Sequence, residues 1–137
     1  IARESNPMVA VPANAATDVD VALQEQVLSK AVVRAADHLG LTNRLLAEVL
    51  GLSEPTISRL RKGHYRLQRG AKPFELAQLL LRLFRSLDAI SGSDDEASRS
   101  WLRSNNRALA GRPIDLIRSI IGLIDVAVYL DSRRAVV

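Results

Sequence analysis

The side chains with the greatest chemical potential are concentrated in TNRLLAEVLGLSEPTISRLRKG, residues 42–63. If Leu46, Leu50, Leu52, Ile57 and Leu60 form a joint core, Pro55, Thr56, Ser58, Arg59, Arg61 and Lys62 are left facing outward. Short hydroxyls and cations in that arrangement suit a helix that bonds phosphates and base edges in the DNA major groove. Ser53 opens the set as the expected helix cap. Arg59 is the expected base reader, because a guanidinium can donate two bonds to a guanine edge. Arg61, Lys62 and Arg66 are expected at phosphates.

Other chemistries lack their parts. His38 and His64 are the two imidazoles, and each reads as a surface or helix-end residue rather than a ligand. Gly63, Gly70 and Lys72 have the wrong spacing for a phosphate loop, and no Ser or Thr follows the lysine. No serine sits in a nucleophile elbow and no histidine pair flanks a glutamate. Asp94, Asp95 and Glu96 read as a helix start. The absence of cysteine excludes disulfides and thiolate sites. The expectation is a protein that is not an enzyme and uses no metal or cofactor.

The elements that must position the outward face follow from periodicity and caps. Residues 1–17, with Pro7, Pro12 and Asn14 among small residues, read as a flexible arm. Leu28, Val32, Ala35 and Leu39 then mark a helix over about 18–39, stopped by Gly40. Thr42 caps a short helix to Leu50, Gly51 supplies the turn, and Ser53 caps a second helix to about Lys62. Two short helices joined this way, with small Ala47 at their crossing, are a helix-turn-helix. Pro73 opens a long helix carrying Leu76, Leu80, Leu83, Leu87 and Ile90.

The polar run SGSDDE places a module boundary near Gly92, dividing a module of 18–91 from one of 92–137. A helix with Trp101 and Leu102 follows, Trp101 reading as core. A loop with Asn105, Asn106, Gly111 and Pro113 leads into one predicted helix over 114–130. That helix has two apolar stripes: Leu116, Ile120, Leu123, Ala127 and Leu130, and Ile117, Ile121, Ile124 and Val128. The chain has little material left to cover both, so a partner or a second copy is expected on one of them.

Bulk properties agree with this organisation. Hydrophobic content of 47% with only 4% aromatics favours helix over sheet, so the fold expected is all-α. Residues 34–72 hold eight Arg or Lys against three Asp or Glu, a local +5 that exceeds the +4 of the whole chain. The excess suits a polyanionic partner where the outward helix lies. Arg82 and Asp125 interrupt the two most apolar runs, and the N-terminus lacks a basic region followed by an apolar one. The expectation is a cytoplasmic protein that makes no membrane contact.

Residues 42–63 resemble the helix-turn-helix of Xre-type regulators. Residues 101–130, WLRSNNRALAGRPIDLIRSIIGLIDVAVYL, resemble the toxin-binding domain of the Xre/MbcA/ParS antitoxins. The likeness lies in the Trp-Leu pair, the Asn106 and Leu109 before Gly111, the Pro113-x-Asp115-Leu116-Ile117 turn, and a final helix with Gly122, Val126, Tyr129 and Leu130. The resemblance implies an antitoxin that neutralises a RES-type, NAD-degrading toxin and represses its own operon from operator DNA. A homodimer within a toxin–antitoxin hetero-oligomer is expected as well, because operators read by such motifs are usually bound as two half-sites, with the helices over 74–90 and 116–130 as candidate surfaces. The toxin-facing residues expected are Arg112, Asp115, Ile121, Tyr129, Asp131, Arg133, Arg134 and Val137. The ending departs from the family pattern, because Ser132, Arg133 and Arg134 replace a longer tail. Asp131 or the terminal carboxylate is expected at the donors of the NAD pocket, and the two arginines at a catalytic carboxylate. The other reading is a stand-alone dimeric repressor whose last helix serves only self-association.

Overall fold

The structure, a computed structural model, describes the backbone of residues 6–135 and side chains from residue 18 onward. Seven helices follow one another: α1 (Asn6–Leu39), α2 (Asn43–Leu50), α3 (Glu54–Arg61), α4 (Lys72–Ser91), α5 (Asp95–Arg103), α6 (Pro113–Leu116) and α7 (Ile120–Arg134). The described residues contain no strand, in line with the all-α expectation; their one antiparallel bridge joins Asn106 and Gly111.

Two boundaries differ from those expected. The arm anticipated over 1–17 is helical from Asn6, so α1 begins well ahead of residue 18. Pro7 falls in the first turn, where its missing N–H leaves no helical bond unmade. The single helix anticipated over 114–130 is two helices. The chain bonds locally from Ile117 to Ser119, and the Ser119 hydroxyl then accepts the Gly122 N–H at 3.0 Å to start α7 afresh. A side-chain cap of this kind is worth about 1 kcal/mol, enough to favour a new start over continuation.

The caps at the helix-turn-helix are those the residue types dictate. Thr42 accepts from the Leu45 N–H at 3.1 Å, and Ser53 accepts from the Thr56 N–H at 3.2 Å. Between them Gly51 takes φ +69°, a left-handed conformation costly for a residue with a Cβ. α2 and α3 can therefore meet over Leu46, Leu50, Ile57 and Leu60, all buried.

α4 is the central wall. It packs on α1, α2, α5 and α7. One continuous core results, running from Val32 and Leu39 through Leu80 and Leu87 to Leu123 and Leu130. Two further ties hold the halves together. Arg99 donates to the carbonyls of His38 (2.9 Å) and Asp37 (2.7 Å), and Arg103 donates to those of Leu39 and Gly40. Cations from α5 thus satisfy the orphan carbonyls at the C-terminus of α1, where the helix dipole favours positive charge. Arg118 also pairs with Glu48 of α2 at 2.9 Å. His38 belongs to this joint, bonded to Asp95 at 2.8 Å and stacked on Phe84.

Candidate functional site

The outward face of α3 is assembled by two conditions: the Ser53 cap fixes where the helix starts, and burial of Ile57 and Leu60 fixes its rotation. Ser53, Pro55, Arg59 and Lys62 are exposed on it, with Thr56 and Ser58 half-buried. The hydroxyls of Ser53 and Thr56 lie 2.8 Å apart, and Arg59 Nη2 donates to Thr56 Oγ1 at 3.2 Å. The guanidinium is held against the helix with its other donors unspent. In this pose Arg59 stays exposed on the surface of α3.

Arg61 corrects the expectation of a phosphate contact. Its guanidinium bonds Asp37 of α1, Asn43 of α2 and the Leu41 carbonyl, so it is a tie among the first three helices. Nothing in its spacing distinguishes it from Lys62; only the arrival of α1 beside the end of α3 consumes it. Arg66 lies beyond α3 and reaches Glu25 Oε1 at 3.2 Å while remaining half exposed. Its charge is partly spent on α1.

The C-terminal half presents a second, different face. α7 buries Leu123, Val126, Ala127 and Leu130 against α4 and leaves Ile120, Ile121, Ile124 and Val128 exposed, at 57%, 74%, 41% and 50%. Of the two stripes legible in the sequence, the first supplies most of the core, although Ile120 points out. The second points out except for Ile117, which is buried beneath α6 and α7. Exposed β-branched residues on neighbouring turns form a contiguous apolar patch, which soluble proteins seldom leave bare without a partner for it.

The remaining residues expected at the toxin divide. Arg112 and Asp115 bond each other through two donors, at 2.9 and 3.2 Å, as an exposed pair one helical turn apart. Neither charge is unmatched in the way a free contact residue would be. Tyr129 is half-buried and stacked on Trp101 with ring centroids 6.3 Å apart. Trp101 packs against the core, as its type suggested. Arg133 and Arg134 are exposed on the last turn of α7, and Val137 lies outside the described residues.

Asp131 corrects the expectation of a carboxylate free to project. Ser86 of α4 donates to its Oδ1 at 2.6 Å, and Arg82 of α4 pairs with its Oδ2. The Ser86 hydrogen bond, followed by the Arg82 guanidinium and the charge of Arg134, holds this carboxyl below the usual carboxylate range despite partial desolvation. A carboxylate with a depressed folded-state pKa stabilises above its unfolded value and loses that contribution as pH falls through the folded one. The stability lead of the parent over Asp131→Asn is therefore expected near neutrality and should shrink below about pH 4. Thermal midpoints of both proteins from pH 7 to pH 3 check this. A gap that stays constant over that range would remove Asp131 as the titrating tie between α4 and α7.

The residues that sequence reasoning missed are those that act across long separations. Ser86 and Arg82 carry no sign that Asp131 will face them. Gly122 matched a family pattern but gave no physical reason for being glycine. In the structure an added Cβ there would collide with the Leu116 carbonyl, so α6 and α7 approach as closely as they do because of it. Among the described residues no cluster of three or more His, Asp or Glu is placed to hold a metal, and no helix is long and apolar enough to cross a membrane.

Comparison with known families matches both halves of the chain. Residues 18–85 match the antitoxin Xre-like helix-turn-helix domain, and residues 86–135 match the antitoxin Xre/MbcA/ParS C-terminal toxin-binding domain. No curated protein sequence matches the chain. The two matches meet within α4, the helix against which both halves pack. The α3 face lies wholly inside the first match and the bare α7 face wholly inside the second. With both domains matched in order along one shared core, this chain belongs to the Xre/MbcA/ParS antitoxin family.

Proposed function

We propose that this antitoxin silences a RES-type, NAD-degrading toxin in the cytoplasm and represses its own operon by binding operator DNA as a dimer. The observation that carries the reading is the coexistence of two exposed faces on one shared core, polar and basic on α3 and apolar on α7. The toxin covers Ile120, Ile121, Ile124 and Val128, with Tyr129 at the margin. Arg133 and Arg134, at the end of the same helix, reach a carboxylate in the toxin's pocket. Asp131 takes no part in that contact, because its oxygens are occupied by α4.

Self-association is assigned to α1. The surfaces first expected were the long helix over 74–90 and the last helix. α4, however, packs its apolar side on four other helices, and its exposed positions Lys72, Glu75, Gln78, Arg82 and Arg85 are polar until Ala89 and Ile90 at its end. Val19, Leu23 and Val27 recur at i, i+4 and i+8 on α1 and are exposed, Leu23 at 57%. That spacing forms one stripe suited to a second α1. Sedimentation at micromolar concentration is expected to give a dimer. A monomer, free and on DNA alike, would count against the assignment.

The operator reading is tested at Arg59. Replacing it by alanine is expected to cost about 1–3 kcal/mol of operator affinity and to relax specificity at one base pair. Binding isotherms against the parent operator and its single-base variants measure both effects. Unchanged affinity and specificity would take α3 out of the recognition role.

A further inference from the structure

A groove of about 1030 Å³ runs between α1 and the connection that follows α3. Its α1 wall carries Gln26, Lys30, Arg34 and Asp37 at helical spacing, and its opposite wall begins at Lys62 and continues through His64 and Gln68. The walls are locked together. Ser29 accepts the buried Leu67 N–H at 2.9 Å, and Glu25 accepts from the Arg69 N–H at 2.9 Å and from Arg66.

The charge balance inside the groove is uneven. Both of its carboxylates are neutralised from within, Glu25 by Arg66 and Asp37 by Arg61. Lys30, Arg34 and Lys62 are exposed, and none of them is in an ion pair among the described residues. Cations thus stand on both rims of a groove whose own acids are silenced, a surface that attracts an extended polyanion. Lys30 and Arg34 are four residues apart on α1, roughly 6 Å along its axis. They present a row of positive charge in line with the groove. Lys62 sits at the C-terminal end of α3, so the groove continues directly from the recognition face.

We propose that this groove holds the sugar–phosphate backbone of operator DNA beside the bases read by α3, with Lys30 and Arg34 of α1 neutralising phosphates that Lys62 alone cannot reach. The inference rests on the operator reading. It adds α1 to the DNA interface and removes Arg61, which serves as the groove's internal neutraliser.

The test is the salt dependence of duplex binding by the full chain and by Lys30→Ala/Arg34→Ala, with operator and unrelated duplexes in parallel. Each neutralised phosphate contributes about 0.9 to the slope of log K against log salt, so the double variant should have a slope shallower by about 2. Its affinity should fall about tenfold or more on both duplexes alike, leaving the ratio between them as in the parent. Lys30→Arg/Arg34→Lys should keep the parent slope, and equal thermal midpoints should show that these exposed substitutions leave the fold intact. A parent that binds duplex DNA while the double variant keeps its slope overturns the groove's role and leaves the operator reading standing. If instead the parent binds no duplex, the operator reading itself fails and the groove proposal falls with it. Mononucleotide binding that the double variant loses, with no change in its duplex slope, would assign the groove to a small phosphate ligand and also overturn the proposal.

Discussion

Alanine at position 122 is expected to unfold the protein at temperatures where the parent is intact. Gly122 lies in the first turn of α7, buried, with its N–H held by the Ser119 hydroxyl. A Cβ added there meets the Leu116 carbonyl, which is backbone and cannot rotate aside as a side-chain tip would. Relief requires α6 and α7 to separate. That movement would draw Leu123 and Ile117 out of contact with the rest of the core. Overpacking of this kind costs about 1–3 kcal/mol, and the backbone collision places Gly122→Ala at the top of that range, about 3 kcal/mol. In a chain of this size the thermal midpoint should fall by roughly 10 °C. Because α4 shares its core with both halves, the loss should appear as a shift of the main transition and should lower toxin affinity as well. A variant as stable as the parent would show that the junction of α6 and α7 opens freely, and the close approach would then need another explanation.

The second large effect is expected at the bare face of α7 and tests toxin binding apart from stability. Ile121 and Val128 are separated by two helical turns on the same side, and the core needs neither. The double change Ile121→Asp/Val128→Asp should therefore leave the thermal midpoint close to that of the parent. In the complex it places two carboxylates in a desolvated apolar contact, at a cost of about 2 kcal/mol or more for each. Toxin affinity should fall by about a thousandfold. Cells producing the toxin with this variant should lose NAD and stop growing, while the variant still binds operator DNA. Retained growth, NAD and co-purification would mean that the toxin is held elsewhere and that this face serves another contact.

What could be read directly from the residues was local. The α2–turn–α3 unit was legible because each of its requirements sits within a few positions: Thr42 and Ser53 bond N–H groups three residues on, Gly51 supplies the left-handed turn, and leucines at helical spacing meet across it. The start of α5 at Asp94 is legible for the same reason, its carboxylate accepting the Ala97 N–H. The break at Ser119 was local as well, yet two continuous apolar stripes masked it. Helical periodicity alone cannot distinguish one long helix from two with a cap between them.

The function class was legible too, because α3's outward residues and the family-like run from Trp101 to Leu130 are contiguous in sequence. What only the tertiary structure decided is which charged groups are free and which apolar stripe is bare. Arg61 and Lys62 are neighbours of like charge, but α1 brings Asp37 to Arg61 from 24 positions away and leaves Lys62 in solvent. Asp131 and Arg133 looked equally available at the end of α7 until α4 supplied Ser86 and Arg82 to the first. Periodicity named both stripes of α7, and the side on which α4 packs chose between them. A charge or an apolar face is spent by whatever element lies against it, and that neighbour is set by the packing of helices distant in the chain, which no local pattern encodes.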